Sequence, residues 1–257
     1  MEPALVRTVE LLPIAGIPEV KAGDDLAALI EGAAVRCGAG LRAGDVVVIA
    51  QKVVSKAEGR VINLADVTPS SRARELAAVC LKDPRIVELV LQESTQVVRC
   101  SPEVLIVRHR LGFTVANAGI DQSNVAGDDE HALLLPVDPD RSATQLYDRF
   151  SARSHGGVGV IINDSFGRPW RLGTCGVAIG CGGVTSLTDM RGQIDRHGRV
   201  LQSTTVATAD EIAAAASLVM GQAAEGLPVV LVRGLPAFAT SSPASALIRA
   251  EAENLFS

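Results

Sequence analysis

Two stretches of the sequence place carboxylate and hydroxyl side chains directly after apolar segments. Residues 117–125 read NAGIDQSNV, with Asp121 and Asn124 after the run FTVA, and residues 161–173 read IINDSFGRPWRLG, with Asp164 and Ser165 after a Val/Ile segment. Carboxylate and hydroxyl oxygens are the hard ligands that Mg²⁺ or Mn²⁺ prefers. Each stretch alone also has the composition of a turn that ends a strand, so neither predicts a metal site by itself.

Basic residues near such segments could bind an anionic ligand. Lys52 and Lys56 stand four apart in QKVVSKAEGR, just past the apolar run VVVIA, and Arg168 and Arg171 follow Asp164 in the second stretch. A lysine at a strand end can meet a polyphosphate as a point charge, and arginines can hold phosphate or carboxylate oxygens with two hydrogen bonds. Solvated basic turns would explain the same residues.

A third segment, MGQAAEGLP at residues 220–228, has the features of a helix end. Gly221 and Gly226 are candidates for the C-terminal cap, and Gln222 and Glu225 supply further oxygen ligands. A capped, solvated helix end is an equally good interpretation of this segment taken alone.

Composition and missing motifs narrow the field. The 257-residue chain is 47% hydrophobic with a net charge of −5 and no basic block, so we expect no nucleic acid as main partner. Its five cysteines form no CxxC pair, and P-loop, HExxH and GxSxG motifs are absent. We predict no signal peptide, and no apolar run approaches the ~20 residues of a membrane span. We therefore expect a soluble, cytoplasmic protein.

The periodicity of apolar residues predicts a mixed α/β (α+β) fold without a strict βαβ rhythm, and the length suits one large domain over residues 1–257 or two small, closely packed ones. A capping box, Thr208 with Glu211, should begin one helix. Helices are predicted at 23–38, 68–81, 84–94, 140–156, 208–222 and 242–256, strands at 8–14, 46–50, 95–100, 103–119, 157–164, 175–187 and 228–235, and a hairpin around residues 197–198.

The residues of the short motifs and their order along the chain together identify a protein family more specifically than any single motif does. From roughly residue 8 to 250, the chain resembles the coenzyme F420-0:γ-glutamyl ligase family in IAGIPEV, QKVVSKAEGR, NAGIDQSNV, LLLPVDPDRSA, NDSFGRPWRLG, AIGCGGV, TADEIAAAASLVMGQ and VVLVRG. This resemblance implies a two-lobed fold assembled as an intertwined homodimer. Some bacterial relatives carry a fused C-terminal flavin-dependent reductase domain, and we expect none within residues 1–257, whether the chain is a stand-alone enzyme or part of a longer one.

The resemblance assigns roles to individual residues. The metal ligands it implies are Asp121, Asp164, Ser165 and Gln222, the last of which is neutral where relatives carry Glu. Gln51 and Lys52 stand where some relatives have hydroxyl residues. The guanine nucleotide contacts it implies are Ile17, Pro18, Glu19, Val20, Gln51, Lys52, Lys56, Asn124, Met220, Gly221, Gln222, Ala223, Ala224, Glu225, Gly226 and Leu227.

The implied reaction uses GTP and Mg²⁺ or Mn²⁺, with K⁺ as a further candidate cation, to join L-glutamate to coenzyme F420-0. Phosphorylation of the terminal carboxylate would give an acyl phosphate that the amine attacks, and repetition through γ-carboxylates would extend the tail. Asp121 and Asp164 would act at the reaction centre, and Arg168 or Arg171 would dock a substrate carboxylate. Two alternatives stay open: a metal-dependent phosphatase or phosphotransferase, and a non-catalytic protein that binds a nucleotide or deazaflavin.

Overall fold

The structure is a computed structural model that describes residues 8–123, 125, 129–153 and 156–254, so Asn124 lies outside the described residues. It mixes helices and strands, which confirms the predicted fold class. The helices are α1 (Leu26–Arg36), α2 (Gln51–Ala57), α3 (Ser71–Cys80), α4 (Pro84–Gln92), α5 (Pro139–Arg153) and α6 (Thr208–Met220). The strands are β1 (Glu10–Pro13), β2 (Val46–Ala50), β3 (Val61–Asn63), β4 (Ser94–Ser101), β5 (Val104–His109), β6 (Thr114–Ala116), β7 (His131–Leu133), β8 (Gly159–Arg168), β9 (Arg171–Gly182), β10 (Thr188–Asp189), β11 (Thr205–Val206) and β12 (Val229–Arg233).

A five-stranded sheet in the order β1-β12-β2-β8-β9 forms the centre of the fold. β2 and β8 run parallel, while the other neighbouring pairs are antiparallel. The run VVVIA is buried along nearly its whole length, as expected of a strand covered on both faces. The register sets Ala50 opposite Asn163, so the two parallel strands reach the same edge of the sheet together.

Helices cover both faces of this sheet. On the first face, α1, α2 and α5 pack over a cluster that includes Ile30, Val54 and Phe150. On the second face, α6 packs over a cluster that includes Ile161 and Ala213. Alternation along β8 assigns its even-numbered apolar residues to the first face and its odd-numbered ones to the second.

Close contact between helix and sheet depends on a glycine in β9. A Cβ atom added to Gly176 would lie 2.5 Å from the carbonyl oxygen of Ala213 and 2.2 Å from Ser217 Oγ, both in α6. Glycine therefore allows α6 to approach β9 more closely than any other residue would.

A further group of elements has its own hydrophobic cluster, built from α3, α4 and the strands β3, β4, β5 and β7. Pro84 is the first residue of α4, as predicted. A buried carboxylate follows this helix: Glu93 accepts hydrogen bonds from Arg60 at 2.8 Å and Arg110 at 2.9 Å. Burial alone would raise the pKa of Glu93, but His109, whose Nε2 lies 3.5 Å from Glu93 Oε2, the hydrogen bond from Arg60 and the charges of the two arginines lower it to about 2.

Four predictions about local structure were wrong. The single strand predicted over 103–119 is two strands, β5 and β6, which pair antiparallel. The capping box at Thr208 does not form, because α6 has no side-chain cap and the Thr208 hydroxyl lies 2.6 Å from that of Thr188. The predicted terminal helix over 242–256 is replaced by two 3-10 helices, Ala244–Leu247 and Glu251–Glu253. QKVVSKA is a helix, α2, rather than a polar turn.

The hairpin predicted around residues 197–198 is confirmed by an antiparallel bridge between Ile194 and Val200. No helix in the described part of the chain is long and apolar enough to span a membrane.

Candidate active site

The carboxyl edge of the parallel strands brings two predicted site segments together. Because Ala50 pairs with Asn163, the next residues, Gln51 and Asp164, leave this edge side by side. Gln51 begins α2 while Asp164 continues β8. Ligands of open α/β sheets bind at the carboxyl ends of parallel strands, which makes this edge the natural place for a site.

Asp121 reaches the same edge from another part of the chain. Its main chain is fixed by two hydrogen bonds to Leu133, of 3.0 and 2.8 Å. Its carboxylate accepts a hydrogen bond of 3.1 Å from Gln51 Nε2 and lies 3.4 Å from Lys52 Nζ. The ammonium group of Lys52 also donates to Ser123 Oγ at 3.0 Å.

The segment before Asp121 has an unusual backbone. Residues Asn117, Ala118 and Gly119 all have positive φ angles, of 52°, 53° and 66°. Such angles are unfavourable for residues with a Cβ atom, and only the third is a glycine. A Cβ atom on Gly119 would lie 2.8 Å from Leu135, so glycine is required there for space as well as for conformation.

Asp121 and Asp164 interact electrostatically. Burial, together with the negative charge of Asp121, raises the pKa of Asp164 to about 7, although the main-chain N–H of Ser165 donates to its Oδ1 at 2.8 Å. Burial also raises the pKa of Asp121, and Lys52 opposes that rise. A divalent cation would neutralise the repulsion between these two partly buried carboxylates, so their chemistry fits a metal site.

This pair does not by itself complete a coordination sphere. Over residues 8–123, 125, 129–153 and 156–254, the structure contains no group of three or more His, Cys, Asp or Glu side chains placed to hold a metal ion. A metal bound by Asp121 and Asp164 would therefore need oxygen ligands from other groups, such as phosphate, main-chain carbonyls or water.

Ser165 lies on the other side of the strand from Asp164. β8 continues through Arg168 instead of ending at residue 164 as predicted, and consecutive side chains alternate between the two faces. Ser165 pairs with Gly176, which faces α6. The Ser165 hydroxyl and the Asp164 carboxylate therefore point to opposite faces of the strand.

The residues before α1 that were predicted to contact the nucleotide pack against α2. Lys56 Nζ, in a largely buried side chain, donates to Glu19 Oε1 at 2.5 Å. Val20 is buried beside them, and Ile17 packs against the core. A cavity of about 340 Å³ is lined by Glu19, Val20 and Lys56 among others, and Val125 borders it. Lys56 lines this cavity, and Lys52, one helical turn earlier on α2, lies beside Asp121.

The segment from Met220 to Leu227, which was predicted to contact the nucleotide, lies at the carboxyl edge of β2 and β8. Gly221, with a φ angle of 73°, ends α6 as predicted. The segment leads into Pro228, whose carbonyl oxygen accepts a hydrogen bond of 2.8 Å from the N–H of Ala50. The carboxylate of Glu225 accepts the N–H of Ala223 at 2.8 Å, which lowers its pKa, whereas Gln222 is exposed.

Comparison with known proteins gives a match over most of the chain. The sequence model for F420-0:Gamma-glutamyl ligase matches residues 15–234.

The chain belongs to the F420-0:gamma-glutamyl ligase family.

Its relatives include proteins named Coenzyme F420:L-glutamate ligase. The one from Methanothermobacter thermautotrophicus is 46% identical over 89% of this chain and 90% of its own length. The one from Methanopyrus kandleri is 45% identical over 97% of this chain and 98% of its own. The one from Archaeoglobus fulgidus is 46% identical over 88% of each.

Two arginines predicted for this family member lie away from the carboxylates. Arg168 and Arg171 pair with each other at the tip of the β8–β9 hairpin, and Arg168 donates to the carbonyl oxygen of Leu172 at 3.2 Å. Four residues of extended strand place Arg168 about 13 Å from Asp164 along the chain. The described structure therefore does not bring either arginine to the paired carboxylates.

The sequence analysis did not single out one buried polar residue that lies beside the candidate site. Asn163 is buried, and its Nδ2 donates to Ser217 Oγ at 3.1 Å and to Met220 Sδ at 3.5 Å. It thereby joins the end of α6 to the strand that carries Asp164. Its position directly before Asp164 was the available signal, but its partners are 54 and 57 residues away in sequence.

Proposed function

We propose that this chain is a GTP- and divalent-metal-dependent ligase that adds L-glutamate to the terminal carboxylate of coenzyme F420-0, in coenzyme F420 biosynthesis. The tail would then be extended through γ-glutamyl links. The observation that carries the proposal is the coupled pair Asp121 and Asp164, with Lys52 beside it, at the carboxyl edge of β2 and β8. Family membership supplies the substrate class.

Asp121 and Asp164 are the residues that would hold Mg²⁺ or Mn²⁺, and the repulsion between them favours such binding. The metal would neutralise and orient phosphate oxygens when bound. Gln222 remains a proposed ligand, and K⁺ a proposed additional cation, whereas the Ser165 side chain faces α6 and lies away from Asp164. Lys52, now 3.4 Å from Asp121, would be released toward a phosphate once a metal satisfies that carboxylate.

The proposed chemistry follows from what an amide bond requires. A carboxylate of F420-0 attacks the γ-phosphorus of GTP, GDP leaves, and the product is an acyl phosphate. The amine of glutamate then attacks the acyl carbon, the C–O bond to phosphate breaks, and the amine loses a proton. The first step needs positioning and charge neutralisation, which the two lysines on one face of α2 are suited to supply.

We also propose a cytoplasmic homodimer. Trp170 and Leu172, at the tip of the β8–β9 hairpin, are 90% and 98% exposed. Two large apolar side chains exposed together at the end of a projecting hairpin are typical of a surface that another chain covers.

The test is mass spectrometry of F420-0 incubated with the protein, GTP, Mn²⁺ and L-glutamate. We expect stepwise additions of glutamyl units that require both GTP and metal. Release of phosphate from GTP without any acceptor would instead favour a phosphatase. Binding of nucleotide and deazaflavin without any gain in mass, across all metals tried, would favour a non-catalytic binding protein and overturn the proposal.

A further inference from the structure

A second cavity, of about 980 Å³, lies on the second face of the sheet. We call it the α6 cavity. It lies between the first half of α6, the edge strand β1 and its neighbour β12, and the segment from residue 235 to 240. Its walls are largely apolar and include Leu11, Ile212, Val232, Leu235 and Phe238. None of the residues assigned to metal or nucleotide lines it.

The polar groups of the α6 cavity exclude two of the three proposed substrates. Threonine hydroxyls and the carboxylates of Asp189 and Glu211 line it, but no lysine, arginine or histidine lies among its described lining residues. A triphosphate or a dicarboxylic amino acid would enter without a countercharge, at a large cost in free energy. An uncharged aromatic ring with polar groups on its rim fits such a wall, since apolar pockets with a few hydroxyls bind ligands of that kind.

Helix α6 connects this cavity with the candidate active site. Thr208, Glu211 and Ala215 face the cavity at the spacing of one helical face, and Leu218, which is 82% exposed, follows on the next turn. The helix then ends at Met220, beside Asn163. From Glu211 to Met220 the helix rises about 14 Å. A ligand that occupied both places would need an aromatic end, a long spacer and an anionic end.

We propose that the α6 cavity binds the deazaflavin ring of the F420 substrate, with the polyol and phosphodiester spacer passing along α6 toward the carboxyl edge. The inference rests on the proposed function, because that function supplies a substrate with an aromatic ring at one end and the reacting carboxylate at the other. GTP and glutamate lack this combination.

The test is an equilibrium titration that follows the intrinsic fluorescence of the deazaflavin and requires no turnover. Ala215→Trp fills the cavity from α6, and Ala239→Trp fills it from the opposite segment in case the first variant does not fold. Val35→Trp is the control, at an exposed residue of α1 that lies outside the cavity lining and away from the proposed path along α6. The probes are F420-0 and the deazaflavin polyol that lacks phosphate.

We expect both cavity variants to weaken binding of both probes by about tenfold or more, and the control by less than about twofold, with GTP affinity unchanged in all three. Wild-type affinity for the probes in a folded cavity variant would overturn the inference. So would a cavity variant that changes the mass of the assembly in sedimentation, because the cavity would then be a protein interface.

The titration separates this inference from the proposed function. If the wild-type protein binds the polyol and the cavity variants do not, the inference stands even where no glutamate is added. If the wild-type protein adds glutamate and the cavity variants bind both probes normally, the proposed function stands and the inference fails.

Discussion

Replacing Asp164 with asparagine should stabilise the metal-free protein at alkaline pH while it abolishes ligation. A carboxyl group whose pKa rises on folding binds its proton more tightly in the folded chain than in the unfolded one. The free energy of unfolding therefore decreases as the pH rises from about 4 toward about 7, and stays low above that. Asparagine has no proton to lose, and its side-chain oxygen can still accept the N–H of Ser165.

The size of the effect follows from the shift. The pKa of Asp164 moves from 3.8 to about 7 on folding. At about 1.36 kcal/mol per pKa unit, that shift corresponds to roughly 4 kcal/mol as an upper limit. The repulsion is shared with Asp121, and a partly exposed pair is screened by water, so we expect a gain of about 2 kcal/mol at pH 8.5.

Urea unfolding in EDTA, at intervals from pH 4 to pH 8.5, measures this difference. The variant should match the wild type near pH 4 and exceed it increasingly above pH 6. Asp121→Asn should recover part of the same gain, because it removes the neighbouring charge. Asp189→Asn is the matched control, since that carboxylate is paired with Arg191 and its pKa is lowered. A stability difference that does not change with pH would refute the reasoning.

Three further results are expected. Lys52→Ala should weaken GTP binding about tenfold or more in calorimetry, and an unchanged dissociation constant would remove this lysine from the site. Gly176→Ala should lower the free energy of unfolding by about 1–3 kcal/mol in urea, because the new Cβ meets Ala213, whereas Gly167→Ala has open space and should change little. Glu93→Gln should lower the free energy of unfolding by about 3 kcal/mol at pH 7, because two arginines lose their buried partner. In urea unfolding, the difference from the wild type should disappear as the pH falls from 4.5 to about 2. A difference that persists at low pH would show that packing, and not charge, is its cause.

The sequence predicted the elements of the central sheet well because their apolar runs are unambiguous. VVVIA is short and rich in β-branched residues, which is typical of a buried strand, and the same holds for the strand over 229–233. Helix α2 was missed because it has no capping side chain and contains two β-branched valines. Burial of Val54 and Ser55 against the core stabilises it despite that weak propensity.

The site was harder to predict than the elements. Residue types indicated Asp121 and Asp164, but their coupling depends on the register of β2 with β8 and on the bridge from Asp121 to Leu133. Which face a side chain occupies also depends on where a strand ends. Because β8 extends past Gly167, Ser165 lies opposite Asp164 and the arginines lie at the hairpin tip. Neither the face that Ser165 occupies nor the position of the arginines can be predicted from local composition.

The parallel pairing of β2 with β8 has a consequence for how the chain folds. Val46 pairs with Gly159, and on its other side β2 pairs with β12, at Val229–Val232. β2 therefore has no partner strand until the ribosome has synthesised most of the polypeptide. Contacts so distant in sequence make folding slow, and during that time an apolar strand edge is exposed to other nascent chains. Chaperone dependence and inclusion bodies during rapid expression are the practical result to expect, and slower synthesis at lower temperature is the remedy that this topology recommends.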